Sequence, residues 1–86
     1  MLDKQLIETI KNELVMLSLF KKVDIIESSS QMVVYMYGSK FFSVKLEKNK
    51  YITNYGYNMA PALNTSDVEL VKKQILTWIK KETLKN

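Results

Sequence analysis

Apolar residues open the chain at three- and four-residue spacing. Leu6, Ile7, Ile10, Leu14 and Leu17 fall on one helical face and predict a helix from Asp3 to about Phe20. Asp3 stands where an N-cap belongs, because its carboxylate can accept from the first free backbone N–H groups. Lys4, Glu8 and Lys11 lie opposite the apolar face, as a solvated side requires. Val15 and Leu19 fall on that polar side too, one turn apart, and form a second apolar patch that needs a cover of its own.

From Val23 onward the period changes from 3.6 to 2. The segments Val23 to Ser28, Gln31 to Tyr37, Lys40 to Glu47 and Lys50 to about Tyr55 are rich in Val, Ile, Tyr and Phe and read as strands. Gly38-Ser39 fits a two-residue hairpin turn with Gly at the positive-φ position, and Lys48-Asn49 is a second tight turn. Ser28 to Ser30 makes a looser one. Short turns in succession force an antiparallel meander, since parallel pairing needs a long crossover. A loop follows through Asn58, Pro61 and Asn64. Ser66 and Glu69 then form a capping box ahead of a second amphipathic helix, with Val68, Val71, Ile75, Trp78 and Ile79 on its buried face. Lys80, Lys81 and Lys85 complement its dipole at the far end. The expected fold is a single α+β domain spanning 1–86: N-terminal helix, four-stranded antiparallel meander and C-terminal helix (αββββα), with both helices on one face of the sheet.

The turns imply a register, and the register sorts side chains. Pairing Tyr37 with Lys40 and Glu47 with Lys50 puts Ile26, Val33, Tyr35, Tyr37, Phe42, Val44, Leu46, Tyr51 and Tyr55 on one face. Val23, Ile25, Met32, Val34, Met36, Phe41 and Ile52 fall on the other, with Lys45. Neither face alternates with polar residues, so both are expected to need covering. If the helices lie on the aliphatic face, the tyrosine face is left as a binding platform, with Lys40 at its edge. If they lie on the tyrosine face, the surface with Met32 and Met36 becomes the candidate interface.

Composition narrows the chemistry. With 86 residues, 47% hydrophobic and 26% charged, the chain is expected to fold around one core. It has no apolar run long enough for a membrane span and no signal-peptide pattern at its start, so a cytoplasmic protein is expected. Cysteine and histidine are both absent, which removes disulfides, thiolate zinc sites, cysteine nucleophiles and the commonest general base. Two glycines, Gly38 and Gly56, cannot build a phosphate-binding loop. The acids are mostly single and interleaved with lysine, and Glu69 with Lys73 reads as a surface helix pair. The expectation is no enzyme, no metal and no cofactor.

Charge is uneven. All 13 basic residues are lysine; residues 1–39 carry a net −1 and residues 40–86 a net +5. The second part therefore suits an acidic partner, protein or nucleic acid. Lysine without arginine gives phosphate attraction but little base readout. Lys73, Thr77, Lys80 and Lys81 form a basic strip on the last helix, and Tyr55 to Met59 puts aromatic and amide groups around a glycine in a loop. The element order is similar to that of the double-stranded-RNA-binding domain, with Lys72-Lys73 in the last helix, though no motif of that family is present. Size and lysine- and asparagine-rich composition resemble accessory proteins of phages and mobile elements. The expected function is binding to a protein partner, heterologous or self, as an inhibitor or adaptor. The surface expected to carry it comprises Tyr35, Tyr37, Lys40, Phe42, Tyr51, Tyr55, Tyr57, Lys73, Lys80 and Lys81. The alternative is nucleic-acid binding through the lysines and a sheet aromatic platform.

Overall fold

The computed structural model describes residues 1–85. Helix α1 (Lys4–Ser18) is followed by strands β1 (Val23–Glu27), β2 (Gln31–Met36), β3 (Ser39–Glu47), β4 (Lys50–Tyr55) and β5 (Leu63–Thr65), then helix α2 (Val68–Leu84). The strands form one antiparallel sheet in sequence order. The radius of gyration, 12.0 Å, matches the ~12 Å of a single compact domain of this length. The αββββα expectation holds with one addition. β5 is three residues long and too short to show an alternating pattern.

Both helices pack on the same sheet face. Leu6, Ile7, Ile10, Leu14 and Leu17 from α1 and Val71, Ile75 and Ile79 from α2 close over Met32, Val34, Phe42, Val44 and Tyr51. Asp3 caps α1 as the sequence implies, its Oδ1 accepting from the Leu6 N–H at 2.9 Å. The Asp3 N–H donates to the buried Tyr51 hydroxyl at 3.0 Å, which ties the helix start to β4.

The cap of α2 is Asp67, not Ser66. Its Oδ1 accepts from the Glu69 and Leu70 N–H groups at 3.0 and 3.2 Å, and its own N–H donates to Thr65 Oγ1. A carboxylate one residue further along reaches the same free donors with full charge against the helix dipole. Asp67→Ala is expected to cost about 1 kcal/mol by urea denaturation and Ser66→Ala close to nothing. A larger loss for Ser66→Ala than for Asp67→Ala would return the cap to Ser66.

The β3–β4 hairpin takes the expected register, Glu47, Leu46 and Phe42 pairing with Lys50, Tyr51 and Tyr55. Ile26 and Val33, expected on one face, pair across β1 and β2. The β2–β3 pairing departs from the expectation. The β2–β3 turn is Tyr37-Gly38, with φ of 53° and 79°, the positive pair of a type I′ turn, so Met36 rather than Tyr37 closes the ladder, opposite Ser39. A bulge then places Val34 opposite Phe42 and Tyr35 opposite Lys40, with Phe41 as the extra residue. Phe41 and Phe42 both enter the core, their rings 5.0 Å apart edge to face.

This one-residue slip re-sorts the faces. The covered face combines Met32 and Val34 from one predicted set with Phe42, Val44, Leu46 and Tyr51 from the other. The opposite face carries Asp24, Ile26, Gln31, Val33, Tyr35, Ser43, Lys45, Ile52 and Asn54, a mixed surface that neither helix covers and on which Ser43 alone is buried, between its longer neighbours. The expectation that both faces need cover is thereby corrected. Along β3, Phe42, Val44 and Leu46 point in while Ser43, Lys45 and Glu47 point out, and Lys45 pairs with Glu47 at 3.3 Å. No helix among the described residues is long and apolar enough to cross a membrane.

Candidate partner-binding site

The residues expected to share one tyrosine-bearing sheet face are dispersed. Phe42 is fully buried and Tyr51 is 6% exposed, so neither belongs to a contact surface: the bulge turned Phe42 and its neighbours under the helices. Tyr35 lies half-buried on the open face, between Asp24 and Lys40 in the ladder. Tyr37 sits in the β2–β3 turn, exposed, its hydroxyl 3.5 Å from the Phe20 carbonyl. Lys80 is exposed on α2 but stands outside the groove described next.

The remaining residues, Lys40, Tyr55, Tyr57, Lys73 and Lys81, line or flank two depressions that meet at Tyr55 and Trp78. The larger, about 320 Å³, runs between α2 and β5. Its floor is Leu63, Leu70 and Trp78; Lys73, Gln74, Thr77 and Lys81 complete the lining. Leu70, Lys73, Thr77 and Lys81 share one side of α2 because they recur at three- and four-residue spacing. Gln74 is held in place: its Oε1 accepts from the buried Thr53 hydroxyl at 2.6 Å. The Trp78 ring is fixed between Tyr55 at 5.0 Å and Phe42 at 6.0 Å.

The second depression, about 160 Å³, is bounded by Met36, Ser39, Lys40, Phe41, Tyr55, Gly56 and Glu82. Gly56 has φ of 60° and donates its N–H to the Phe41 carbonyl at 2.7 Å. That bond folds the chain so that Tyr57 returns over β3, where its hydroxyl accepts the Lys40 N–H at 3.1 Å.

Charge on this surface is mostly unpaired lysine. Glu69 binds Lys72 at 2.9 Å rather than Lys73, and Glu82 binds Lys85 at 3.0 Å. The Glu82 carboxylate raises the Lys85 pKa above its ordinary value, first through that hydrogen bond and then through its charge. Lys73 and Lys81 take part in no ion pair among the described residues, and no carboxylate lines the larger groove. Trp78, Leu70 and Leu63 went unrecognised as site residues in the sequence. Trp78 read as buried, and Leu63 lies on the strand that the alternation does not show. The one available signal was Leu70, an apolar residue on the lysine-bearing side of the helix.

Among the described residues no cluster of three His, Cys, Asp or Glu side chains could hold a metal ion. The fold and this surface define a small α+β domain with an apolar, lysine-rimmed groove. Comparison with known protein families, curated proteins and solved structures finds no match to the chain.

Proposed function

We propose that this protein is a non-enzymatic binding domain that holds an acidic, apolar-anchored segment of a partner protein in the groove between α2 and β5. By covering that segment it blocks the partner's working surface. The observation that carries the reading is the lining: Leu63, Leu70 and Trp78 form an apolar floor, and Lys73 and Lys81 supply unpaired positive charge. An apolar anchor gains by leaving water, and rim lysines steer acidic groups to the site. Tyr55, Tyr57 and Lys40 continue the surface toward the ~800 Å² per side of a standard interface. The reading sets the protein in the cytoplasm, where a chain without cysteine loses nothing to reducing conditions.

Nucleic-acid binding is the second reading, favoured by the net +5 of residues 40–86. It gains less from this groove. Phosphates would use the lysines alone, and Trp78 is the single aromatic ring lining the groove, where single-strand binders stack successive bases on several.

Selection of displayed random peptides on the whole protein tests the proposal. Acidic peptides with an aromatic or aliphatic anchor are expected. The double variant Lys73→Glu/Lys81→Glu is expected to weaken them about tenfold or more with an unchanged circular dichroism spectrum. Fluorescence anisotropy with labelled single- and double-stranded DNA and RNA is the counter-experiment. Binding that falls steeply with salt and vanishes in the same double variant would replace the protein reading with the nucleic-acid one.

A further inference from the structure

The opposite edge of the sheet carries a separate surface, independent of the groove on α2. β1 is an edge strand, paired with β2 alone. The Tyr37 N–H donates to the Lys22 carbonyl at 2.9 Å and the Ser28 N–H to the Gln31 carbonyl at 2.8 Å. In an antiparallel ladder the bonded residues alternate, so Lys22, Asp24, Ile26 and Ser28 turn their backbone groups toward β2. Val23, Ile25 and Glu27 turn theirs outward, to no strand.

Natural edges are usually blunted by lysine, proline, a bulge or a covering loop. Within β1, Val-Asp-Ile-Ile-Glu, there is no proline and no lysine, and the ladder with β2 is regular; of its two charged residues, Asp24 lies on the uncovered face and Glu27 is held by Lys11. Apolar groups surround the edge. Ile25 is 39% and Ile26 62% exposed, and Val15 and Leu19 of α1 stand at 61% and 70%. A groove of about 320 Å³ lies between α1 and β1, lined by Lys11, Leu14, Val15, Ser18, Val23 and Ile25. This is the second apolar patch of α1, still without a cover.

We infer that the outward edge of β1 pairs with the same edge of a second copy, antiparallel about a two-fold axis at Ile25, so that two five-stranded sheets join into one. With Ile25 opposite Ile25 of the other copy, Val23 falls opposite Glu27 and Glu27 opposite Val23, as in any strand paired with itself about an outward-facing residue. Two observations select a second copy as the occupant. First, the ends are complementary in charge. Lys21 and Lys22 precede the strand and Glu27, which Lys11 holds at 2.6 Å within the same copy, ends it; the two-fold places the basic end of one copy beside the acidic end of the other. Second, the area is of the right order. Val15, Leu19, Phe20, Ile25 and Ile26 together leave ~500 Å² of apolar side chain exposed per copy, before backbone and lysine stems are counted, against ~800 Å² per partner in a stable interface. The two α1 helices then lie side by side, and Val15 and Leu19 are covered.

Sedimentation equilibrium of the full chain across a concentration series reads the association directly. The mass is expected to rise toward twice the 10.1 kDa of the monomer. Ile25→Lys sets two like charges on the axis, and Ile25→Pro removes an N–H that no intramolecular bond uses, a substitution that edge strands tolerate. Both are expected to hold the protein at monomer mass with an unchanged circular dichroism spectrum. Register is read by cysteine scanning, since the chain has no cysteine of its own. In a glutathione redox buffer, Ile25→Cys is expected to form a covalent dimer, because facing Cα atoms in such a pair lie ~5.5 Å apart, within disulfide range. Val23→Cys alone is expected not to, while a mixture of Val23→Cys and Glu27→Cys chains should cross-link to each other. A chain that stays monomeric throughout the series overturns the inference. So does a dimer that survives both Ile25 substitutions, or one in which Val23→Cys cross-links to itself.

Discussion

Phe42→Ala is expected to bring the domain close to unfolding at ambient temperature. Phe42 has no exposed surface; its ring meets Phe41 at 5.0 Å and Trp78 at 6.0 Å. Truncation removes the transfer free energy of the ring and leaves a cavity that two helices and a sheet cannot collapse into, at a cost of about 4 kcal/mol. A domain of this size has on the order of 4–13 kcal/mol of total stability. Each kcal/mol moves the midpoint by about 4–8 °C in a domain this small, so a fall of roughly 15–30 °C is expected in a thermal melt followed by circular dichroism. Met59→Ala, at a residue 96% exposed, serves as the control and is expected to leave the melt unchanged. A Phe42→Ala melt within a few degrees of the parent would mean that the ring faces solvent and that the tyrosine-bearing sheet face exists after all.

Gly38→Val has the second-largest expected effect, through the backbone alone. Gly38 holds φ of 79°, and a Cβ built there meets nothing within 4 Å. The penalty is therefore conformational: a β-branched residue in the left-handed region costs about 2 kcal/mol, or roughly 8–16 °C in the same melt. A loss near zero would show that residue 38 does not need the left-handed conformation in the folded protein. The same turn holds Tyr37 at φ of 53°, where asparagine is the favoured residue.

The periodicities were strong enough to place both helices and four strands, and the tight turn at Lys48-Asn49 the β3–β4 register. A helical stripe or an alternating strand is a local property, set by residues that are neighbours in sequence. Asp3 as a cap was legible for the same reason. The site was legible only in part. Lys73 and Lys81 were visible as a basic strip, and Tyr55 and Tyr57 as an unusual loop. Their neighbours Trp78, Leu70 and Leu63 were not, because a residue's place in a groove depends on which element packs beside it.

Sequence by itself determined the order and type of the elements, the charge imbalance and the absence of thiol and imidazole chemistry, all of which are read residue by residue. Tertiary structure decided the central register. Gly38-Ser39 and Tyr37-Gly38 are both acceptable turns locally, and exchanging one for the other moves the pairing by two residues, which leaves the faces as they were. The bulge at Phe41 moves it by one, and only burial of Met32, Val34, Phe42 and Val44 together under two helices selects it, with both phenylalanine rings kept in the core. Because strand side chains alternate with period 2, that single extra residue joined Phe42, Val44 and Tyr51 to Met32 and Val34 on the covered face.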